Sequence, residues 1–133
     1  MKLGIMQPYF FPYAEQLRHI NQCDQWIVFD TPKFSRKSWV SRNRIINKNT
    51  EWSYISVPIE KGASNNQICR ASISNNDWTV NFFKNLRVYE KAPFYKDSIK
   101  IINNCVDGDF NDISKLNTNI LKQLCLALNI NTE

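Results

Sequence analysis

One histidine, three glycines and no glycine-rich loop occur in the 133 residues of this chain. A paired-histidine nucleotidyl transfer is therefore excluded, and neither a Gly-x-Ser-x-Gly nucleophile elbow nor a P-loop can be found. No stretch approaches the roughly 20 apolar residues that span a bilayer. The apolar run at residues 3–6 is also far too short for the core of a secretory signal, so the expected location is the cytoplasm. Cys23, Cys69, Cys105 and Cys125 lie far apart, without the short paired spacings of zinc sites. They are expected to be reduced and mostly buried thiols, and neither a metal nor another cofactor is expected. With 43% apolar residues and no low-complexity tract, the chain has what a single folded domain needs.

What the chain does have is a concentration of charge. Residues 31–50 hold Lys33, Arg36, Lys37, Arg42, Arg44 and Lys48 and no acid, so the net charge of +5 falls in this one stretch. Three of the six cations are arginines, whose planar forks match phosphate oxygens. Phe34, Trp39 and Asn43 stand among them as apolar and amide groups. Such a mixture suits a phosphate-bearing partner, whether a nucleotide, a nucleotide-linked sugar, a pantetheine carrier or RNA.

The apolar pattern gives a coarse fold. Residues 3–6 read as a buried strand that ends at Gln7-Pro8, followed by an aromatic loop and a helix over about 13–23, with Pro12 near its start. Residues 26–29 form a second strand closed by Asp30, completing a strand–helix–strand opening that favours two parallel strands. Ligands of open α/β sheets bind beside the carboxyl ends of strands, which would bring Gln7 and its loop close to Asp30 and the basic segment. Residues 51–59 alternate, with Trp52 and Tyr54 on one side and Ile55 and Val57 on the other, and are expected to pair as a hairpin with 68–74. From Asp77 onward the period is helical, giving one helix to about 91, another carrying Ile101, Ile102 and Cys105, and a last one carrying Leu116, Ile120 and Leu124.

Met6 to Tyr13, Trp39 with Arg42, Asn43, Arg44 and Ile45, and Lys91 to Tyr95 are three motifs that resemble those of the WbqC-like proteins, a family encoded mostly among bacterial genes for O-antigen and other surface polysaccharides. Met-Gln-Pro-Tyr-Phe-Phe-Pro-Tyr at 6–13 is similar to the family's Gln-Pro-x-Tyr/Phe-x-Pro-aromatic signature. Trp39, Arg42, Asn43, Arg44 and Ile45 resemble its Trp-x-x-Arg-Asn-x-Ile, and Lys91-Ala92-Pro93-Phe94-Tyr95 resembles a Lys-Ala-Pro-aromatic-aromatic run. The resemblance covers nearly the whole chain, as one domain over 1–133, and implies a role in making or modifying sugars for surface glycans. The pattern also departs from the family. Glu15 stands where a glycine is usual, and its carboxylate would compete with a phosphate for the helix-start amides. Asp30-Thr31-Pro32-Lys33-Phe34 keeps only the first acid and the Phe of an Asp-Asp-x-Gln-Phe run. Family members are longer, so the chain reads as a family member cut short.

The expected architecture is thus α/β, a mixed sheet opening with a Rossmann-like unit, a central hairpin and a helical carboxyl half. The candidate catalytic residues are Asp30, as general base or hydroxyl acceptor, and Gln7, as an amide for a substrate. Tyr9, Phe34, Trp39, Arg42, Asn43 and Arg44 are the candidate substrate contacts. His19 is expected to be a helix-surface residue. Two functions remain open at this point. One is an acyl or aminoacyl transferase acting on a nucleotide-linked amino sugar; the other is a non-catalytic module that grips RNA or a protein through residues 33–48. A second copy of the chain is a further candidate partner.

Overall fold

The computed structural model describes residues 1–74 and 77–133. Two two-stranded sheets and four α-helices make a mixed α/β fold among them, with the helices filling the carboxyl half as expected. Strand β1 (Leu3–Met6), helix α1 (Ala14–Asn21) and strand β2 (Gln25–Val28) form the opening unit. The two strands run parallel, with Leu3 opposite Gln25 and Met6 opposite Val28. Gly4 is what lets this unit close: a Cβ there would stand 2.3 Å from Cε3 of Trp26 and 2.8 Å from Sγ of Cys23. His19 is on the exposed side of α1, where its ring meets Trp26 edge-on at 5.3 Å.

The expected single sheet and the pairing of 51–59 with 68–74 are corrected. Strand β3 (Arg42–Asn47), inside the basic segment, pairs antiparallel with β4 (Glu51–Ser56) as a separate hairpin. Residues 68–70 instead form a 3-10 turn, and Ile59 meets Ile73 in one isolated bridge. The physical reason lies in β3: its arginines mask a strand whose period-2 alternation is visible only once Ile45 is seen to turn inward, packed on the core, opposite Ser53. The alternation within β4 is as expected. Ile55 and Val57 are buried, while Trp52 and Tyr54 face outward.

Helix α2 (Trp78–Leu86) presents Trp78, Phe82 and Leu86 inward. Helices α3 (Tyr95–Val106) and α4 (Ile113–Ala127) pack on each other, and the Asp112 side chain caps α4 by accepting from the Lys115 amide at 2.9 Å. Phe10 from the aromatic loop is fully buried among Trp78, Phe82 and Phe11, with ring separations of 5.0–5.9 Å in edge-on geometry. The aromatic loop is therefore built into the core at Phe10 and emerges on either side of it. All four cysteines are free thiols; only Cys105 is buried, and the other three are half-buried, a correction to the expectation of mostly buried thiols.

Candidate functional site

The carboxyl ends of β1 and β2 sit side by side, since the Phe29 amide donates to the Met6 carbonyl at 2.9 Å. Gln7 and Asp30 follow directly from these ends. The Asp30 carboxylate accepts a hydrogen bond from Ser114 Oγ, in the first turn of α4. Three residues further along the same helix, the fully buried Asn117 donates from Nδ2 to the carbonyls of Pro8 and Val40, at 2.9 and 2.7 Å. One face of α4 thus ties down the start of the aromatic loop, the segment leading into β3 and the end of β2.

On the other side of that loop lies a cleft of about 480 Å³. Tyr9, Phe11, Pro12 and Tyr13 form one wall, and Trp39, Asn43 and Arg44 form the other. The walls are joined by hydrogen bonds. The Phe10 amide donates to the Trp39 carbonyl at 2.9 Å, and Asn43 Nδ2 donates to the carbonyls of Phe10 and Phe11. Phe11 adopts a left-handed backbone, φ 51°, which costs a non-glycine residue free energy and is held in place by these contacts. Its ring stacks on Phe82 at 5.6 Å, so the strained residue is also anchored in the core.

Arg44 is the cation of the cleft. Its guanidinium lies 5.1 Å from the Trp39 ring and 4.6 Å from the Trp52 ring, near enough for cation–π attraction to both. Arg42 lies 3.9 Å over Tyr54, its diagonal neighbour on the outer face of the hairpin, and donates to the Lys37 carbonyl at 2.8 Å. Trp52 and Tyr54 in turn meet edge-on at 5.1 Å. The outer face of β3 and β4 is accordingly a continuous surface of arginine and aromatic rings that opens into the cleft at Arg44 and Trp39.

The structure brings together Tyr9, Trp39, Asn43 and Arg44 from the residues expected at one site. Gln7 and Asp30 form a separate pair at the strand ends, outside the cleft walls. Arg42 belongs to the outer face. Phe34 is 2% exposed and packs in the core, so its position is that of a support for the loop rather than of a ligand contact. From sequence Trp52 and Tyr54 read only as one side of a strand, and Phe11 only as one of the loop aromatics. The first two sit on the outward side of a readable alternation, and two large aromatics on a solvent face was the available signal. A second cleft, of about 530 Å³, gathers Met1, Asp24, Gln25 and Glu133 near the chain ends; it lacks the aromatic walls and the arginine.

Residues 7–133 match the WbqC-like protein family. The chain belongs to that family. The match takes in the aromatic loop, the β3 residues of the cleft, the run at 91–95 and α4, so the three motifs that pointed to it, the first from Gln7 onward, lie within the region compared. This WbqC-like chain is also similar to an uncharacterized protein, Rv1507c, of Mycobacterium tuberculosis (strain ATCC 25618 / H37Rv). The two are 25% identical over 136 residues, covering 99% of this chain. The chain spans 58% of the length of that relative. No solved structure matches this chain. Among the described residues no helix is long and apolar enough to cross a membrane, and no group of three or more His, Cys, Asp or Glu could hold a metal ion.

Proposed function

We propose that this WbqC-like protein binds a nucleotide-linked amino sugar in the aromatic cleft and serves in building bacterial surface polysaccharide, O-antigen included, as an acyl or aminoacyl transferase. The observation that carries the reading is the placement of Arg44 between Trp39 and Trp52 at the rim of a cleft walled by Tyr9 and Tyr13. Flat rings suit the faces of a base or a sugar, and a guanidinium that makes no hydrogen bond among the described residues suits a diphosphate. Arg42, stacked on Tyr54, adds a second cation along the same face. Asn43 acts here by positioning the loop. Asp30 is the proposed general base and Gln7 the proposed acyl-orienting amide for a ligand that extends from the cleft past the loop to the strand ends, where both stand.

A second reading, RNA binding through residues 33–48, is favoured by one observation: the outward rings of Trp52 and Tyr54 with Arg42 and Arg44 laid over them. Exposed aromatics among cations are what single-strand binders use. The two readings separate on salt. A uridine-diphosphate-linked amino sugar, coenzyme A and a ten-nucleotide RNA are each titrated calorimetrically at two salt concentrations, with the native chain and with Arg44→Ala. Under the first reading the nucleotide sugar binds at both salt concentrations and the variant loses it. Binding by RNA alone, falling steeply as salt rises, overturns it in favour of the second.

A further inference from the structure

The β1–β2 sheet is incomplete in a specific way. Parallel strands are ordinarily covered on both faces, because the crossovers that join them lie there. Here one face packs on α1 through Gly4 and Trp26, while the other carries Leu3, Ile5, Ile27 and Phe29, which are 43–55% exposed. Ile5 and Ile27 are directly opposite each other in the register, so these side chains form one continuous apolar strip.

The far edge of β2 is also open, and a third strand has already begun on it. The Glu133 amide donates to the Asp24 carbonyl at 3.2 Å, and the Glu133 carbonyl accepts from the Trp26 amide at 2.7 Å. That exchange on either side of Gln25 is the hydrogen-bond pattern of a parallel bridge. Alternation along β2 turns the N–H of Val28 and the C=O of Trp26 toward the same edge. Beyond Glu133 neither has a backbone partner among the described residues. A strand continuing in the register of Glu133 would satisfy both groups and lie beside Ile27 and Phe29.

We propose that this edge of β2 is a docking surface for one further parallel strand, apolar on the side where it runs beside Ile27 and Phe29, of the kind the longer mycobacterial relative has residues to supply outside the matched region. The pairing of Glu133 sets its direction and register. Ile27 and Phe29 set its chemistry, since side chains of that strand on the same face stand one strand spacing away and pack against them laterally. This surface is separate from the aromatic cleft, so its test does not depend on the proposed ligand.

The test appends an eight-residue segment of alternating threonine and valine after Glu133, threonine first so that valine falls opposite Ile27, and follows amide exchange at Val28 by NMR, alongside Ile120 as a report on the core. A second extended chain carries proline at every other position of the segment, and a third combines the threonine–valine segment with Ile27→Lys and Phe29→Lys. The expected result is exchange at Val28 slowed at least tenfold by the first segment only, with Ile120 equally protected throughout and every chain monomeric by sedimentation. Equal exchange at Val28 in all the chains overturns the proposal. So does protection of Val28 in the unextended chain that rises with its concentration, because a second copy would then be the occupant.

Discussion

Asn43 Nδ2 donates to the carbonyl of Phe11 at 2.6 Å, and Phe11 is the residue of the aromatic loop whose φ is 51°. The same nitrogen donates to the Phe10 carbonyl at 3.0 Å, so both of its protons are used in holding the loop against β3. Asn43→Ala leaves two carbonyls without a donor and releases a strained residue. The expected loss of stability is about 1–3 kcal/mol, read as a lower urea midpoint. Because the loop is one wall of the cleft, affinity for the nucleotide sugar should fall in the same variant even at temperatures where it stays folded. A variant of unchanged stability would show that the loop is held by Phe10 and Phe11 packing alone.

Arg44 separates charge from shape. Arg44→Lys keeps the cation near Trp39 and Trp52 but removes the planar fork. Stability should change by less than about 1 kcal/mol, since the residue is exposed. Affinity for a diphosphate ligand should fall roughly tenfold, or about 1.4 kcal/mol, through loss of bidentate geometry. Calorimetric titration of both chains checks this, and equal affinity would mean that only the charge of Arg44 matters.

These two residues also show how far the sequence could be read. The basic segment, its arginines and Asn43 stood out by composition, and the strand–helix–strand opening stood out by apolar runs broken at Pro8 and Asp30. What Asn43 does with its amide could not be read, because its partners at Phe10 and Phe11 are more than thirty positions away and accept through backbone carbonyls, which every residue carries. The partner of β4 was misjudged for a related reason. Strand β3 alternates arginines outward with Asn43 and Ile45 inward, and a charged outer face hides a strand from a search for apolar alternation. Phe34 sat among cations in the sequence, yet it turns into the core while its neighbours remain in solvent.

Gly4 tests the packing of α1 and β2 on β1. An added methyl would overlap the six-membered ring of Trp26 and approach Cys23 Sγ. Neither neighbour can yield freely, since the Trp26 ring is also met by His19 and the Trp26 amide is paired with Glu133. Gly4→Ala should therefore destabilise the chain by about 1–3 kcal/mol, with a matching change in Trp26 fluorescence. Gly62, where a Cβ would meet nothing within 4 Å, has φ 88°, so the cost of alanine there is backbone strain and not a contact. Comparable losses at both positions, without a fluorescence change at Gly4→Ala, would argue against the close approach of Trp26 to β1.

Cys105 is fully buried between α3 and α4, and burial pushes its thiol up to about 11. In the unfolded chain a thiol ionises near about 8.5, so the native state holds the neutral form over a range in which the unfolded state releases its proton. A folded-state value raised above the unfolded one contributes stability that is fully present below about 8.5 and is lost as pH rises toward about 11. The advantage of the native chain over Cys105→Ala should accordingly be constant from neutral pH to about pH 8 and shrink between there and about pH 11, measured by urea unfolding at several pH values. At pH 8 a thiol reagent should also modify Cys23, Cys69 and Cys125 before Cys105, because the thiolate is the reacting form and Cys105 is both neutral and enclosed. A stability difference that does not change with pH would mean that Cys105 ionises in the folded chain as it does in the unfolded one, and that the contact between α3 and α4 admits water.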